Sequence, residues 1–454
     1  MIKSQKSKVK SQKFLLFLLL TVYCSLLTLS LAFAEERVIT MQEAYDLALT
    51  THESIKLAQE DLHQAYTGFD KTLSNILPTV TAEAAHTQYS KDKTSNTSTI
   101  QPENSSTLSL KLSQPLYSGG KDKSVRKQAR NKIGSFREGL DLAKEDIVYN
   151  VSVAYYNLLK AERDMDIKES ALKRAEEQTR VAKARFKAGE VAKAIVLRAE
   201  AEAAGAGAEL ARSKAGLDIA NTRLARLIGI DGNFKVTPPA PLSAPKDIEK
   251  LILTAFDKRK DYIRISIDEE IAKEGVAYAK GNFMPSLKFD GTYSRKDQEP
   301  SSSSLNRESI YGTITLTFPF FEGWLRTSEM KEAKSKVRQA ELKRLNMKRD
   351  IEKDIREAFY NVDAVASTIP PLEKQVLYAE ENYKLVFKQF KYGLATNADV
   401  VDANSTLISA QKGLSNAVYD LQLAIIELQK KSGVLMEEVE NQLSVLSYNK
   451  LPDK

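Results

Sequence analysis

The chain repeats itself. Gln114-Pro115-Leu116-Tyr117-Ser118-Gly119-Gly120 aligns with Phe318-Pro319-Phe320-Phe321-Glu322-Gly323-Trp324, about 204 residues later. At the same offset Val153-Ala154-Tyr155-Tyr156-Asn157 meets Glu357-Ala358-Phe359-Tyr360-Asn361, and Arg185-Phe186-Lys187-Ala188-Gly189 meets Gln389-Phe390-Lys391-Tyr392-Gly393. Leu227-Ile228-Gly229 and Lys431-Ser432-Gly433 close an alignment of more than a hundred residues without a gap. A duplication of this length requires two copies of one structural unit, and it restricts the fold to a pseudo-symmetric pair.

The first residues stand outside that pair. Lys3, Lys6, Lys8, Lys10 and Lys13 make a basic start, residues 14–31 are apolar, and Ala32-Phe33-Ala34 offers a small-x-small cleavage site. This is the pattern of an export signal, 1–34. The apolar run is also long enough to be an uncleaved anchor, but the cleavage site argues for removal. Cys24, the single cysteine, lies within it, so the mature chain has no disulfide to form. Cys24 follows Val22-Tyr23 and not the small residues of a lipoprotein signal. The formal charge of +7 includes five signal lysines, leaving about +2 on the mature chain. Its charges alternate in sign as on solvated helix faces, which argues against nucleic acid as a partner.

Each repeat reads helix, strand, polar loop, strand, very long helix, turn, helix. Repeat one spans 35–245, with a hairpin at about 79–116, a long helix at 121–188, a helix at 190–229 and a linker. Repeat two spans 246–436, with a hairpin at about 286–320 and helices at 325–392 and 394–432; a tail, 437–454, follows. The opening helices, about 41–77 and 248–284, stop at Pro78 and Pro285. After each proline the period changes to two. Ile314, Leu316 and Phe318 alternate with Thr313, Thr315 and Thr317; Leu108, Leu110 and Leu112 alternate with Ser109, Lys111 and Ser113. Leu287, Phe289 and Tyr293 mark the third strand, and a weaker one runs near 80–89. These are strands with one apolar face. Polar loops, 90–106 and 295–309, join each pair.

Strands of about ten residues can cross a bilayer when tilted in a barrel. Four strands cannot close one. An open edge in lipid leaves N–H and C=O groups unsatisfied at several kcal/mol each, so chains must pool their hairpins. Oligomerisation is therefore a geometric requirement of a membrane location.

The long helices are free of proline except at Pro370-Pro371, where a kink or short break is expected. About 67 helical residues extend roughly 100 Å. Gly189 and Gly393 end them in matching Phe-x-x-Gly turns. Narrow apolar seams such as Val151, Tyr155, Leu158, Met165 and Leu172 fit coiled-coil contact.

The duplication, the proline-flanked hairpins, the two strand-to-helix junctions and Phe390-Lys391-Tyr392-Gly393 leading to Asp399-Val400-Val401-Asp402-Ala403 together resemble the TolC-like outer-membrane efflux proteins. The resemblance covers essentially the whole mature chain. It implies a mainly α fold with a membrane β-barrel contribution: four strands per chain pooled in a homotrimer into a twelve-stranded barrel above a twelve-helix periplasmic tunnel. It further implies passive export from a periplasmic adaptor and an inner-membrane pump, across the outer membrane of a Gram-negative bacterium. A periplasmic coiled-coil adaptor or scaffold is the alternative; it would not need two membrane-length hairpins.

The resemblance also suggests sites. Ala188, Gly189, Glu190, Tyr392, Gly393 and Leu394 form the tips on which the family docks its adaptor. Asp399 and Asp402, three residues apart on one helix face, match aspartates lining the family's periplasmic aperture. Repeat one has Ile195 and Arg198 there, and Ala395 stands where an arginine helps close the aperture in the best-known member. Asp399 also fits a capping box with Thr396. His52, His63 and His86 have no metal-ligand spacing. Ser118-Gly119-Gly120-Lys121 lacks the full phosphate-loop pattern. No cofactor, metal or enzymatic activity is expected.

Overall fold

The computed structural model describes residues 37–95, 98–232, 234–301 and 306–440. The expected signal, 1–34, lies outside them, as does the tail beyond Glu440. Repeat one supplies β1 (Val38–Ile39), α1 (Met41–Thr51), α2 (Glu53–Lys71), β2 (Thr79–Gln88), β3 (Lys93–Ser95), β4 (Ser98–Gln101), β5 (Asn104–Tyr117), α3 (Lys121–Lys187), α4 (Lys193–Ile228) and β6 (Lys235–Val236). Repeat two supplies α5 (Ile248–Lys258), α6 (Lys260–Gly281), β7 (Ser286–Glu299), β8 (Glu308–Thr317), α7 (Leu325–Lys391) and α8 (Asn397–Lys431). The compact units do not follow the repeats. Of the described residues, one holds 37–51 with Asn150–Pro241 and Ile369–Tyr419, and the other holds the remainder.

In the second unit the strands form one antiparallel sheet, β2-β5-β7-β8. Registers Ala82↔Leu110, Leu110↔Tyr293 and Tyr293↔Ile310 bring apolar residues from all four strands into line. Because side chains alternate at period two, the apolar sets that each strand carries fall on a single face. The ring of Phe289 lies against Gly312, 3.1 Å from where a Cβ would stand. Among the described residues nothing covers this face: Ile310 is 83 % exposed, Ile314 68 % and Leu316 67 %. The strands also reach further into the polar loops than alternation suggests. β7 continues to Glu299, β8 begins at Glu308, and β3 and β4 make a small hairpin within the first loop. Apolar alternation marks only the part of a ladder that faces an apolar medium. Beyond it polar residues keep the backbone pairing, as Gln88↔Asn104 and Arg295↔Glu308 do.

The opening helix of each repeat, expected as one piece, is two. Thr51-His52 separates α1 from α2, with His52 Nδ1 accepting the Ser54 N–H at 3.2 Å. Arg259, extended at φ −64° and ψ 119°, separates α5 from α6. Both breaks are tertiary in origin. A returning helix ends beside each one in a left-handed glycine, Gly229 (φ +70°) against Thr51 and Gly433 (φ +72°) against Arg259. Thr51 Oγ1 reaches the Ile228 carbonyl at 3.3 Å, and Arg259 Nη1 donates to Lys431 O at 3.3 Å. Conversely, α7 passes through Pro370 and Pro371 as a single element, without the short break expected there. The missing N–H groups would have bonded the carbonyls of Ala366 and Ser367; Ser367 and both prolines are exposed and Ala366 is half-buried, so the loss falls on the outer side of the helix.

Each unit has its own core. In the first, Tyr155 is fully buried, with its hydroxyl 3.0 Å from Ile39 O and 2.7 Å from Thr237 O. It thereby fastens the parallel pair β1–β6, which is too short to leave any periodic trace in the sequence. In the second, Ile252 and Ala255 of α5 pack with Ile351 and Ile355 of α7 and with Ile425 and Leu428 of α8. These seams bury one stripe of each helix and leave the charged faces outside.

Candidate functional site at the helix tips

The long helices end alike. After α3, Gly189 (φ +78°) donates to Phe186 O at 3.0 Å and Glu190 N to Arg185 O at 2.9 Å. After α7, Gly393 (φ +79°) donates to Phe390 O at 3.2 Å and Leu394 N to Gln389 O at 2.9 Å. Both are Schellman caps, in which a glycine adopts the left-handed conformation that a Cβ would strain. Ala188, Gly189 and Glu190 are exposed; Tyr392 is 74 % and Leu394 80 % exposed. The six expected tip residues thus lie on two capped turns.

The tips differ in one respect. Arg185 of repeat one donates through Nη1 to the Phe390 carbonyl at 2.9 Å, stands 5.4 Å from the Phe390 ring centre, and pairs with Glu190 at 3.1 Å. A Cβ on Gly393 would stand 3.0 Å from its Nη2, whereas one on Gly189 would meet nothing within 4 Å. Arg185 therefore joins one tip to the other. Its repeat partner is Gln389, and that departure from the duplication is the signal by which the sequence could have revealed it.

At the start of α8 the capping box is formed. Asp399 Oδ2 accepts the Thr396 N–H at 2.7 Å and its hydroxyl at 2.8 Å, while Asp399 N donates to Thr396 Oγ1 at 3.2 Å. The Thr396 backbone N–H, and then the hydroxyl, holds the Asp399 carboxyl below the usual carboxylate range. Asp402 lies exposed, and among the described residues no side chain pairs with it. Ile195 and Ala395 pack against the apolar cluster of Phe390, Val400 and Leu407.

Two kinds of seam meet on α8. Towards α7 it is apolar, with Val400, Ala403, Leu407 and Ala410 clustered with Ala379, Tyr383 and Phe390. Towards α3 it is polar: Gln178 donates to Asn397 Oδ1 at 2.8 Å, Arg174 to Asn404 Oδ1 at 2.7 Å, and Lys412 pairs with Asp164 at 3.0 Å. The buried Gln178–Asn397 pair fixes register, because slippage would leave both groups without a partner. Among the described residues no group of His, Cys, Asp or Glu could hold a metal, and no helix is long and apolar enough to cross a membrane.

A four-stranded sheet with a bare apolar face in one unit, and long helices with capped and exposed turns in the other, define the class: an outer-membrane protein of the channel type. The chain matches the outer membrane efflux protein family over residues 44–230 and 263–434, and it belongs to that family. It is 25 % identical to the outer membrane protein TolC of Vibrio cholerae over 397 residues, 84 % of this chain and 87 % of that protein. It is 23 % identical over 344 residues to the alkaline protease secretion protein AprF of Pseudomonas aeruginosa, 72 % of this chain and 69 % of the other. The crystal structure of the outer membrane protein VceC from Vibrio cholerae matches with a TM-score of 0.72 and 19 % identity, covering 87 % of this chain and 96 % of that one. The protein is thus an outer-membrane efflux channel with a periplasmic helical portion, and neither an enzyme nor a periplasmic scaffold.

Proposed function

We propose that three copies of this chain form the exit duct of a tripartite efflux or type I secretion system. The observation that carries the reading is the sheet. Among the described residues its apolar face is bare, and β2 and β8 each leave one edge without a partner. Open edges are not tolerated in lipid, and twelve strands from three chains remove them by closure. In this arrangement the exposed turns at Ala188-Gly189-Glu190 and Tyr392-Gly393-Leu394 receive a periplasmic adaptor protein, which connects the duct to an inner-membrane pump. Asp399 and Asp402 line the periplasmic aperture, where rings of carboxylates attract cations and repel anions.

The absence of cysteine from the mature chain makes the assembly directly testable. Single cysteines scanned along β2 and β8 in pairs should yield disulfide-linked trimers on non-reducing gels. Protease sites inserted between β3 and β4, and in the loop after Glu299, should be cut in intact cells. Dimers as the largest linked species at every pair, or loops that are never cut, would overturn the arrangement.

A further inference from the structure

In the second unit, α3, the α5–α6 break and the turn after α8 enclose a cavity of about 390 Å³. Three lysines line it, and each is already committed. Lys144 pairs with Asp141 at 3.1 Å, Lys260 with Glu138 at 3.3 Å, and Lys258 with Glu437. Three carboxylates that line the same cavity are not: Glu145, Asp257 and Glu440 have no hydrogen bond or ion pair among the described residues. Asp257 and Glu440 are exposed at the rim, but Glu145 is only 5 % exposed.

The Glu145 side chain is buried while its carboxylate oxygens open on the cavity, and a carboxylate so enclosed normally has a partner. The neighbouring cations on the surrounding elements are engaged elsewhere. Lys430 of α8 pairs with Asp146 at 2.8 Å and sits 4.2 Å from the Tyr149 ring centre. Arg259, at the break, holds Asp261 through two bonds of 3.0 and 2.7 Å. Burial, above all, pushes the Glu145 carboxyl up to about 7, with Asp146 and Asp261 adding to the rise against Lys430 and Arg259. Among the described residues the fold thus keeps an acid at the floor of an open cavity, with Lys430 and Arg259 near enough to act on it but each bonded to another carboxylate.

We propose that this cavity is a binding site for a small aliphatic polyamine, one ammonium group on Glu145 and another on the rim carboxylates Asp257 and Glu440. A metal ion does not fit, since no three acidic or histidine groups converge on a point. Carboxylates set apart around a cavity suit a cation whose charges are separated by methylenes. Met436, which also lines the cavity, gives the methylenes an apolar contact. The site is independent of the duct reading, because binding is read on purified protein and not through export.

The test uses the full-length protein in detergent, with Asp399→Ala and Asp402→Ala introduced to remove the aspartates assigned above to the aperture. Titration calorimetry with spermidine and cadaverine should show saturable binding of about one molecule per chain. Glu145→Gln, which preserves shape and removes charge, should weaken it at least tenfold. Asp257→Asn, at the exposed rim, should weaken it about threefold with folding unaffected. Binding should tighten by up to about tenfold between pH 6 and pH 8, as Glu145 ionises. Equimolar magnesium chloride should not displace the polyamine. The absence of saturable binding, equal affinity in both variants and the parent, or displacement by magnesium at equal concentration would each overturn the proposal.

Discussion

Two glycines with the same torsion angles have different surroundings, and the difference can be measured. Gly189 and Gly393 both sit near φ +78°, so an alanine at either costs about 1–2 kcal/mol of left-handed strain. Only at Gly393 does the added methyl also press on Arg185. Gly393→Ala should therefore destabilise more than Gly189→Ala in denaturant titrations. Arg185→Ala should remove the excess, giving a non-additive double-mutant cycle. Bulky residues at Gly393 should weaken export while trimers still reach the membrane; loss of trimers along with export would reduce the glycine to a cap. The aspartates make a second residue-scale prediction. Asp399→Ala with Asp402→Ala should lower cation selectivity and block by multivalent cations in planar bilayers, and an assembled double mutant with unchanged selectivity would exclude them as a filter. Asp399 titrates below the ordinary range because its ionised form accepts two bonds from Thr396. The cap it makes is present at neutral pH and is lost only as pH falls through that depressed value.

At the scale of elements, the glycine-backed breaks respond to substitution in a graded way. A Cβ on Gly229 would stand 2.8 Å from Thr51 Oγ1, a side-chain atom that can rotate away, whereas one on Gly433 would stand 2.8 Å from the backbone nitrogen of Arg259, which cannot. Gly433→Ala should therefore lower the denaturation midpoint more than Gly229→Ala, and the reverse order would show that the α5–α6 break yields. These breaks also mark the limit of what the chain discloses locally. The spans of α3 and α7 were legible to within a residue or so, because no strong breaker interrupts α3 and both helices end at a Gly cap. The four strands were legible from their alternation. The divisions at His52 and Arg259 were not, since each is imposed by a turn far along the chain, Thr51 and Ile228 being 177 residues apart. β1 and β6, two residues each, carry no period. At the tips, the two glycine caps were legible from the repeat and the Thr396–Asp399 capping box from its spacing. Gln178, Asn397 and Asn404 were not, because a buried polar residue on a charged helix looks like any other until its partner is known.

At the scale of the whole molecule, the duplication explains why so few kinds of part suffice, and also why the parts are not interchangeable. Repeat one contributes Arg185 to a bond that repeat two only receives, and repeat two carries the aspartates where repeat one has Ile195 and Arg198. Divergence between the copies has given each tip its own chemistry on a shared backbone. The unpaired edges of β2 and β8 have a consequence for inheritance. In the three-chain barrel proposed above every chain lends an edge to the next, so no chain can compensate for a defective neighbour. When a cell makes normal and defective subunits in equal amounts, only about one three-chain barrel in eight is free of the defect. A missense allele that spares assembly but spoils conduction is then dominant over its normal copy, whereas an allele that makes no protein at all is recessive.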